Sequence, residues 1–245
     1  MKDLYLYFTM GYPDMDTLER FISLINADKV NGIEIGFPSM DPKYDGPEIR
    51  KSHSSAVDPG RERMLEFLKI LGMKNIPLYS LQYYSDICSD IEENLAILRE
   101  SGFSGIIVPD LTTDYFKDSE KVIDHIEESG LDFIPFFSAS SPDRVIARQC
   151  SLTSSWIYYG IQPSTGINMP MDMAPGVQRI RSIAGNRKMI FGFGIRNEDH
   201  VREAVRNGAD GIAIGTILLK YLESNDKNGF IDLVERMRVA LNDNS

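Results

Sequence analysis

Eight short runs of apolar and β-branched residues recur along this chain, separated by stretches with helical spacing. The runs are Leu4 to Met10, Gly32 to Phe37, Ile76 to Tyr83, Gly105 to Pro109, Asp132 to Ser138, Ser155 to Tyr159, Lys188 to Gly194 and Gly211 to Gly215. Between them, Met64, Leu68 and Leu71 share one helical face with Leu65 beside them. Ile91, Leu95 and Leu98 share a second face, and Val201, Ala204 and Val205 a third. The last stretch carries Ile231, Val234 and Leu241, with Arg238 as a polar interruption. Regular alternation of strand and helix calls for a parallel sheet with helical crossovers. Eight such units in 245 residues are what a single-domain (β/α)8 TIM barrel requires. An open doubly wound sheet would place a glycine fingerprint after its first strand, whereas here the first run leads into Gly11-Tyr12-Pro13-Asp14. No linker or low-complexity segment interrupts the pattern, so residues 1–245 read as one domain.

The formal charge of -10 argues against a nucleic-acid binder, which would carry a basic face. No apolar run approaches the length of a membrane span, and the start, MKDLYLYFTMG, lacks the pattern of a signal peptide. A cytoplasmic location is the expectation. Cys88 and Cys150 stand apart from any CxxC or Cys/His cluster, so they are expected to be small buried residues, and no metal site is expected. His53, His125 and His200 fall mostly on predicted helices and read as surface residues.

The second run reads GIEIGF. Side chains alternate along a strand, so Ile33, Ile35 and Phe37 share one face, and Gly32, Glu34 and Gly36 the other. A carboxylate on an inward face is costly unless paired or used. Glu34 is therefore either a structural carboxylate or a proton donor whose affinity for its proton is raised by burial. Asp45 follows eleven residues later in a Pro/Gly-rich loop. Barrels of this type build their sites from the loops at the C-terminal strand ends, so the two acids can face one cavity. A more solvated Asp45 would stay ionised and stabilise a developing cation, although Asp-Gly-Pro is also ordinary turn composition.

Glycines gather late. Gly192, Gly194 and Gly215-Thr216 follow the seventh and eighth runs and lead into a short helical stretch, Ile217 to Leu222. Freed backbone amides with a helix N-terminus behind them suit a phosphate, and tight turns are the alternative. The sixth loop, Ile161 to Pro170, suits either a mobile lid or an ordinary surface loop.

EIGFPSMDPKYDGPEIR resembles the signature of the tryptophan synthase alpha subunit family. FTMGYP, IPLYSLQYY, VPD, STG, GFGI and IGT extend the resemblance over the whole chain. The resemblance implies a lyase that splits indole-3-glycerol phosphate into indole and glyceraldehyde 3-phosphate by retro-aldol cleavage. By it, Glu34 would move protons at the indole C3 and the glycerol hydroxyl. Asp45 would hydrogen-bond the indole N–H. Thr165 would meet Asp45 on lid closure, and Gly166, Gly194, Gly215 and Thr216 would hold the phosphate. Tyr7, Leu81, Tyr83 and Phe193 would line the indole pocket, with Tyr158 beside the substrate if one residue is deleted before the lid. The resemblance further implies a beta subunit carrying pyridoxal phosphate, in an alpha2beta2 complex, with Asp41 and Pro42 in the communicating loop. This chain itself shows no defensible lysine motif for that cofactor. Three features depart from the family pattern: Ser39-Met40 before the Asp-Pro, no arginine near Ile161 or Gln162, and only three residues before the first run.

Overall fold

The computed structural model describes residues 1–111, 113–161 and 174–243. Among them, nine strand segments run in chain order: β1 (Asp3–Thr9), β2 (Gly32–Gly36), β3 (Leu78–Leu81), β4 (Gly105–Ile107), β5 (Asp132–Ile134), β6 (Phe136–Ser138), β7 (Ile157–Gly160), β8 (Met189–Gly192) and β9 (Gly211–Ile214). The helices are α1 (Met15–Ser23), α2 (Pro47–Ser55), α3 (Gly60–Gly72), α4 (Tyr84–Ile87), α5 (Ile91–Glu100), α6 (Ser119–Glu128), α7 (Asp143–Leu152), α8 (Ala174–Ala184), α9 (Glu198–Arg206), α10 (Thr216–Ser224) and α11 (Lys227–Asn242).

All paired strands are parallel, in the order β5-β4-β3-β2-β1-β9-β8-β7-β6. The two edges, β5 and β6, are halves of the fifth apolar run, so the sheet curls into the expected barrel. Pro135 divides them because proline has no N–H to give to a ladder. Its carbonyl still accepts from Tyr158 N at 3.0 Å, which keeps the wall continuous there.

Alternation along each strand produces two cores. Outward residues such as Leu6, Phe8, Ile33, Ile35, Phe133, Phe191 and Ile212 pack under the helices. Inward residues fill the barrel and its mouth, among them Tyr5, Tyr7, Tyr79, Leu81, Ile107, Phe136, Tyr158, Ile190 and Ala213. The inward set pairs rings with glycines. A Cβ on Gly32 would fall 2.4 Å from the Tyr5 ring, and one on Gly36 would fall 2.1 Å from the Tyr7 hydroxyl. Only glycine leaves those rings their place.

The C-terminal helix largely follows the expected pattern. Val234, Arg238 and Leu241 are buried, together with Phe230, Leu233 and Met237, and of the expected stripe Ile231 alone is exposed. Arg238 is buried and structural rather than an interruption. Its guanidinium donates to Lys29 O at 2.8 and 2.6 Å, to Lys2 O at 2.6 Å and to Asn31 Oδ1 at 2.5 Å. It thereby ties α11 to the chain entering β1 and β2. Cys150 is buried as expected. Cys88 is exposed, because the short helix α4 turns it outward. Among the described residues, no helix is long and apolar enough to cross a membrane.

Candidate active site

The barrel mouth holds a pocket with about 400 Å³ of empty space, part of it open to solvent. Tyr7, Asp45, Leu81, Tyr158, Phe193, Gly194, Gly215 and Thr216 line it, all of them expected site residues. Ile49, Ile195 and Ala213 complete the lining. The lining suits a small, largely apolar ligand with a few polar contacts. Thr165 and Gly166 lie outside the described residues.

Glu34 is the middle residue of β2, in register with Tyr7 on β1 and Tyr79 on β3. It is fully buried beside Tyr7 rather than part of the lining. Neither carboxyl oxygen has a hydrogen-bond partner among the described residues. Burial in this apolar setting pushes its pKa up to about 8, so the group is a neutral acid at neutral pH.

Asp45 is 6% exposed, not the solvated acid the loop composition suggests. Two features of the loop bury it. Its backbone N–H donates to Pro42 O at 3.0 Å, and Arg50 clamps the loop by donating to Asp45 O at 2.7 Å and Lys43 O at 2.6 Å. Tyr83 stands behind it and donates its hydroxyl to Oδ2 at 2.8 Å. Burial first, then the Asp45 charge, raises the Tyr83 pKa, so the phenol keeps its proton and acts as the donor. Tyr83 therefore orients Asp45 instead of lining the pocket. The Tyr44 ring stacks on Tyr83 at 6.4 Å and donates onward to Asp114 at 2.9 Å, and Lys43 pairs with the same Asp114. Asp41 and Pro42 sit in this clamped loop, with Met40 almost fully exposed beside them.

The anion end is built from backbone. Phe193 and Gly194 both take positive φ, 64° and 94°, so the loop after β8 reverses sharply and presents its amides. His200, half-buried, bonds the Gly194 carbonyl through Nδ1 at 3.0 Å. Helix α10 starts at Thr216 without a side-chain cap, which leaves its first amides open to an anion. The lining holds no lysine or arginine among the described residues, so amides and the helix end supply the positive potential.

His53 was expected at the surface, yet it is 4% exposed. The buried face of α2 is Ile49, Ser52 and His53, at helical spacing, and it turns a polar pair into the barrel top. That spacing was the available signal, masked by the polar composition of the helix. Ser39 N donates to His53 Nδ1 at 3.0 Å, and Nε2 meets the Tyr7 hydroxyl at 3.1 Å. Burial lowers the His53 pKa to about 4, so the ring is neutral. His125 is half-buried on α6, away from the mouth.

A buried neutral acid and a held carboxylate beside an amide cradle allow proton transfer on a bound phosphorylated ligand. That chemistry places the chain among the phosphate-binding (β/α)8 barrel enzymes. The family model described as the tryptophan synthase alpha chain matches residues 2–243. The tryptophan synthase alpha chain of Saccharolobus solfataricus is 34% identical over 243 residues, covering 99% of this chain and 98% of the relative. That of Sulfurisphaera tokodaii is 32% identical over 242 residues, covering 99% and 98%. A mutant tryptophan synthase alpha-subunit structure from Pyrococcus furiosus superposes with a TM-score of 0.81 at 25% identity, covering 98% of this chain and 99% of that one. The chain belongs to the tryptophan synthase alpha chain family. It is a carbon–carbon lyase of tryptophan biosynthesis that cleaves indole-3-glycerol phosphate to indole and glyceraldehyde 3-phosphate. The alpha chain of this family has no cofactor of its own, and membership implies a beta-subunit partner.

Proposed function

We propose that Glu34 and Asp45 divide the cleavage between them. The observation that carries this reading is Glu34: a carboxyl with no exposure, no hydrogen-bond partner among the described residues and a proton it keeps at neutral pH, next to a pocket-lining tyrosine. Glu34 gives its proton to indole C3, which makes the ring a cationic indolenine. Asp45, oriented by Tyr83, accepts a hydrogen bond from the ring N–H and stabilises that positive charge. The carboxylate left on Glu34 takes the proton of the glycerol hydroxyl next to C3. The C–C bond then breaks, its electron pair returns to the ring, and indole and the aldehyde separate. Leu81, Tyr158 and Phe193 supply the flat apolar walls, and Gly194, Gly215 and Thr216 hold the phosphate.

Residues 1–245 form one domain in this reading, working in the cytoplasm. The partner is a beta subunit that carries pyridoxal phosphate, assembled as alpha2beta2, with Asp41 and Pro42 in the loop it touches. The test is indole release from indole-3-glycerol phosphate. Glu34→Gln abolishes release while the circular dichroism spectrum is kept, and a matched beta subunit accelerates release by the unaltered chain. Substantial release by Glu34→Gln would overturn the role of Glu34.

A further inference from the structure

Asp110 is a fully buried acid that the cleavage reaction does not use. It sits in the short 3-10 helix Pro109–Leu111 just after β4, outside the pocket lining. A carboxylate taken out of water is costly unless it is hydrogen-bonded. Both of its oxygens are engaged. Oδ1 accepts from Tyr84 N at 2.7 Å, and Oδ2 accepts from Ser85 N at 3.3 Å. These are the first two amides of α4, which has no side-chain cap of its own because Tyr83 stands at the capping position. Asp110 supplies that cap from a different loop, 26 positions along the chain.

Tyr83 is thereby held at both ends. Its hydroxyl accepts from Tyr44 N at 3.2 Å, which leaves the phenolic proton for Asp45 Oδ2 at 2.8 Å. At the other end, the planar peptide joining Tyr83 to Tyr84 is fixed by the bond from Tyr84 N to Asp110. The capping loop is itself anchored. Asp110 O accepts from Asp114 N at 2.9 Å, and the Tyr115 ring meets the Tyr84 ring edge-on at 4.9 Å.

We propose that Asp110 is a positioning residue of the cleavage reaction: by capping α4 it sets where Tyr83 stands, and through Tyr83 it aims the Asp45 carboxylate at the indole ring. The proposal rests on the reading of Asp45 as the group that stabilises the cationic ring. Without Asp110 the first amides of α4 lose their acceptors, and the helix start turns to find others. Tyr83 moves with it, and Asp45 loses the donor that orients it. A misplacement of about 1 Å at a group that meets the reacting ring can cost roughly 100-fold in rate, so kcat reports the shift. Asp110 acts at one remove, so its loss should cost no more than loss of the Tyr83 hydroxyl.

The test measures kcat and KM for indole release by the unaltered chain, Asp110→Asn, Asp110→Ala, Tyr83→Phe and Asp110→Asn/Tyr83→Phe. Asparagine keeps an acceptor for Tyr84 N and turns an N–H toward Ser85 N, whereas alanine removes both acceptors. kcat should fall about fivefold in Asp110→Asn and about 10- to 50-fold in Asp110→Ala, with KM within about twofold. In the Tyr83→Phe background, Asp110→Asn should cost no further kcat, because the group it positions is already gone. A cap that served the fold alone would lower the melting temperature and leave kcat unchanged below the melt. Unchanged kcat in Asp110→Asn would overturn the proposal, as would losses that multiply in the double variant. If Asp110→Ala does not fold, the cycle of Asp110→Asn with Tyr83→Phe decides by itself. Failure of the underlying reading shows separately, as undiminished indole release by Asp45→Asn.

Discussion

Replacing Glu34 by glutamine should make the protein more stable as it makes it inactive, by an amount that depends on pH. The folded chain keeps the Glu34 proton up to about pH 8, whereas the unfolded chain releases it near the ordinary value of 4.5. Between those values the folded state binds a proton that the unfolded state does not, so stability falls as pH rises. The favourable contribution is fully present below 4.5 and is lost as pH climbs through about 8. Each unit within that window is worth about 1.4 kcal/mol. From pH 6 to pH 8 the unaltered chain should lose roughly 2–3 kcal/mol through this one group. Glutamine has the same shape and does not titrate. The gap in melting temperature between Glu34→Gln and the unaltered chain should therefore widen by roughly 5–10 °C over that range, at about 2–4 °C per kcal/mol for a chain of this size. His53 titrates with the opposite sign. Its pKa is lowered to about 4 from 6.5, so its contribution is lost as pH falls, and it cancels between two proteins that both contain it. The assay is urea unfolding at pH 6, 7 and 8, with thermal melts alongside. Stability curves that run parallel from pH 6 to 8 would show that Glu34 is ionised in the folded protein. The argument from burial would then be wrong.

Three further substitutions separate parts of the structure. Tyr83→Phe removes a hydrogen bond to a carboxylate, worth about 1.5–3 kcal/mol, and kcat for indole release should fall roughly 10- to 100-fold with the fold kept. An unchanged kcat would mean Asp45 needs no orientation by Tyr83. Gly192→Ala puts a methyl group 2.2 Å from the Tyr158 hydroxyl, so the ring must swing into the pocket. The melting point should drop with a cost of about 1–3 kcal/mol, and KM should rise, which calorimetry and steady-state kinetics would check. Arg238→Met strips four hydrogen bonds from the chain entering β1 and β2 and should cost about 2–4 kcal/mol in urea unfolding. Its kcat should stay unchanged below the melt, because these contacts lie at the barrel end opposite the mouth.

Much of the site was legible because its signals are local. Two-residue alternation along GIEIGF puts Glu34 on one face with Gly32 and Gly36, opposite Ile33 and Ile35. Glycines directly after strands leave loop amides uncovered at the mouth, where the sequence leads one to expect an anion. Of the expected pocket residues at strand ends, Tyr7, Leu81, Tyr158 and Phe193 reach the lining, whereas Tyr83 stands behind Asp45. Loop residues were harder to read. Asp-Gly-Pro in a polar loop suggests solvent, but Tyr83, just beyond β3, seals Asp45 from behind and donates a hydrogen bond to its carboxylate.

The sequence by itself determined the alternation of strand and helix, hence a parallel barrel with its site at one end, and it determined which strand residues share a face. These follow from helical and strand periods, which operate over a few neighbouring residues. The tertiary structure alone decided how deep each group lies and what it touches. His53 meets Tyr7 across 46 positions and Asp45 meets Tyr83 across 38, and α11 chose Phe230 over Ile231 for its buried face. Such pairings depend on the height and rotation at which whole elements dock. Docking is settled by the packing of all of them together, and no stretch of the chain carries that information alone.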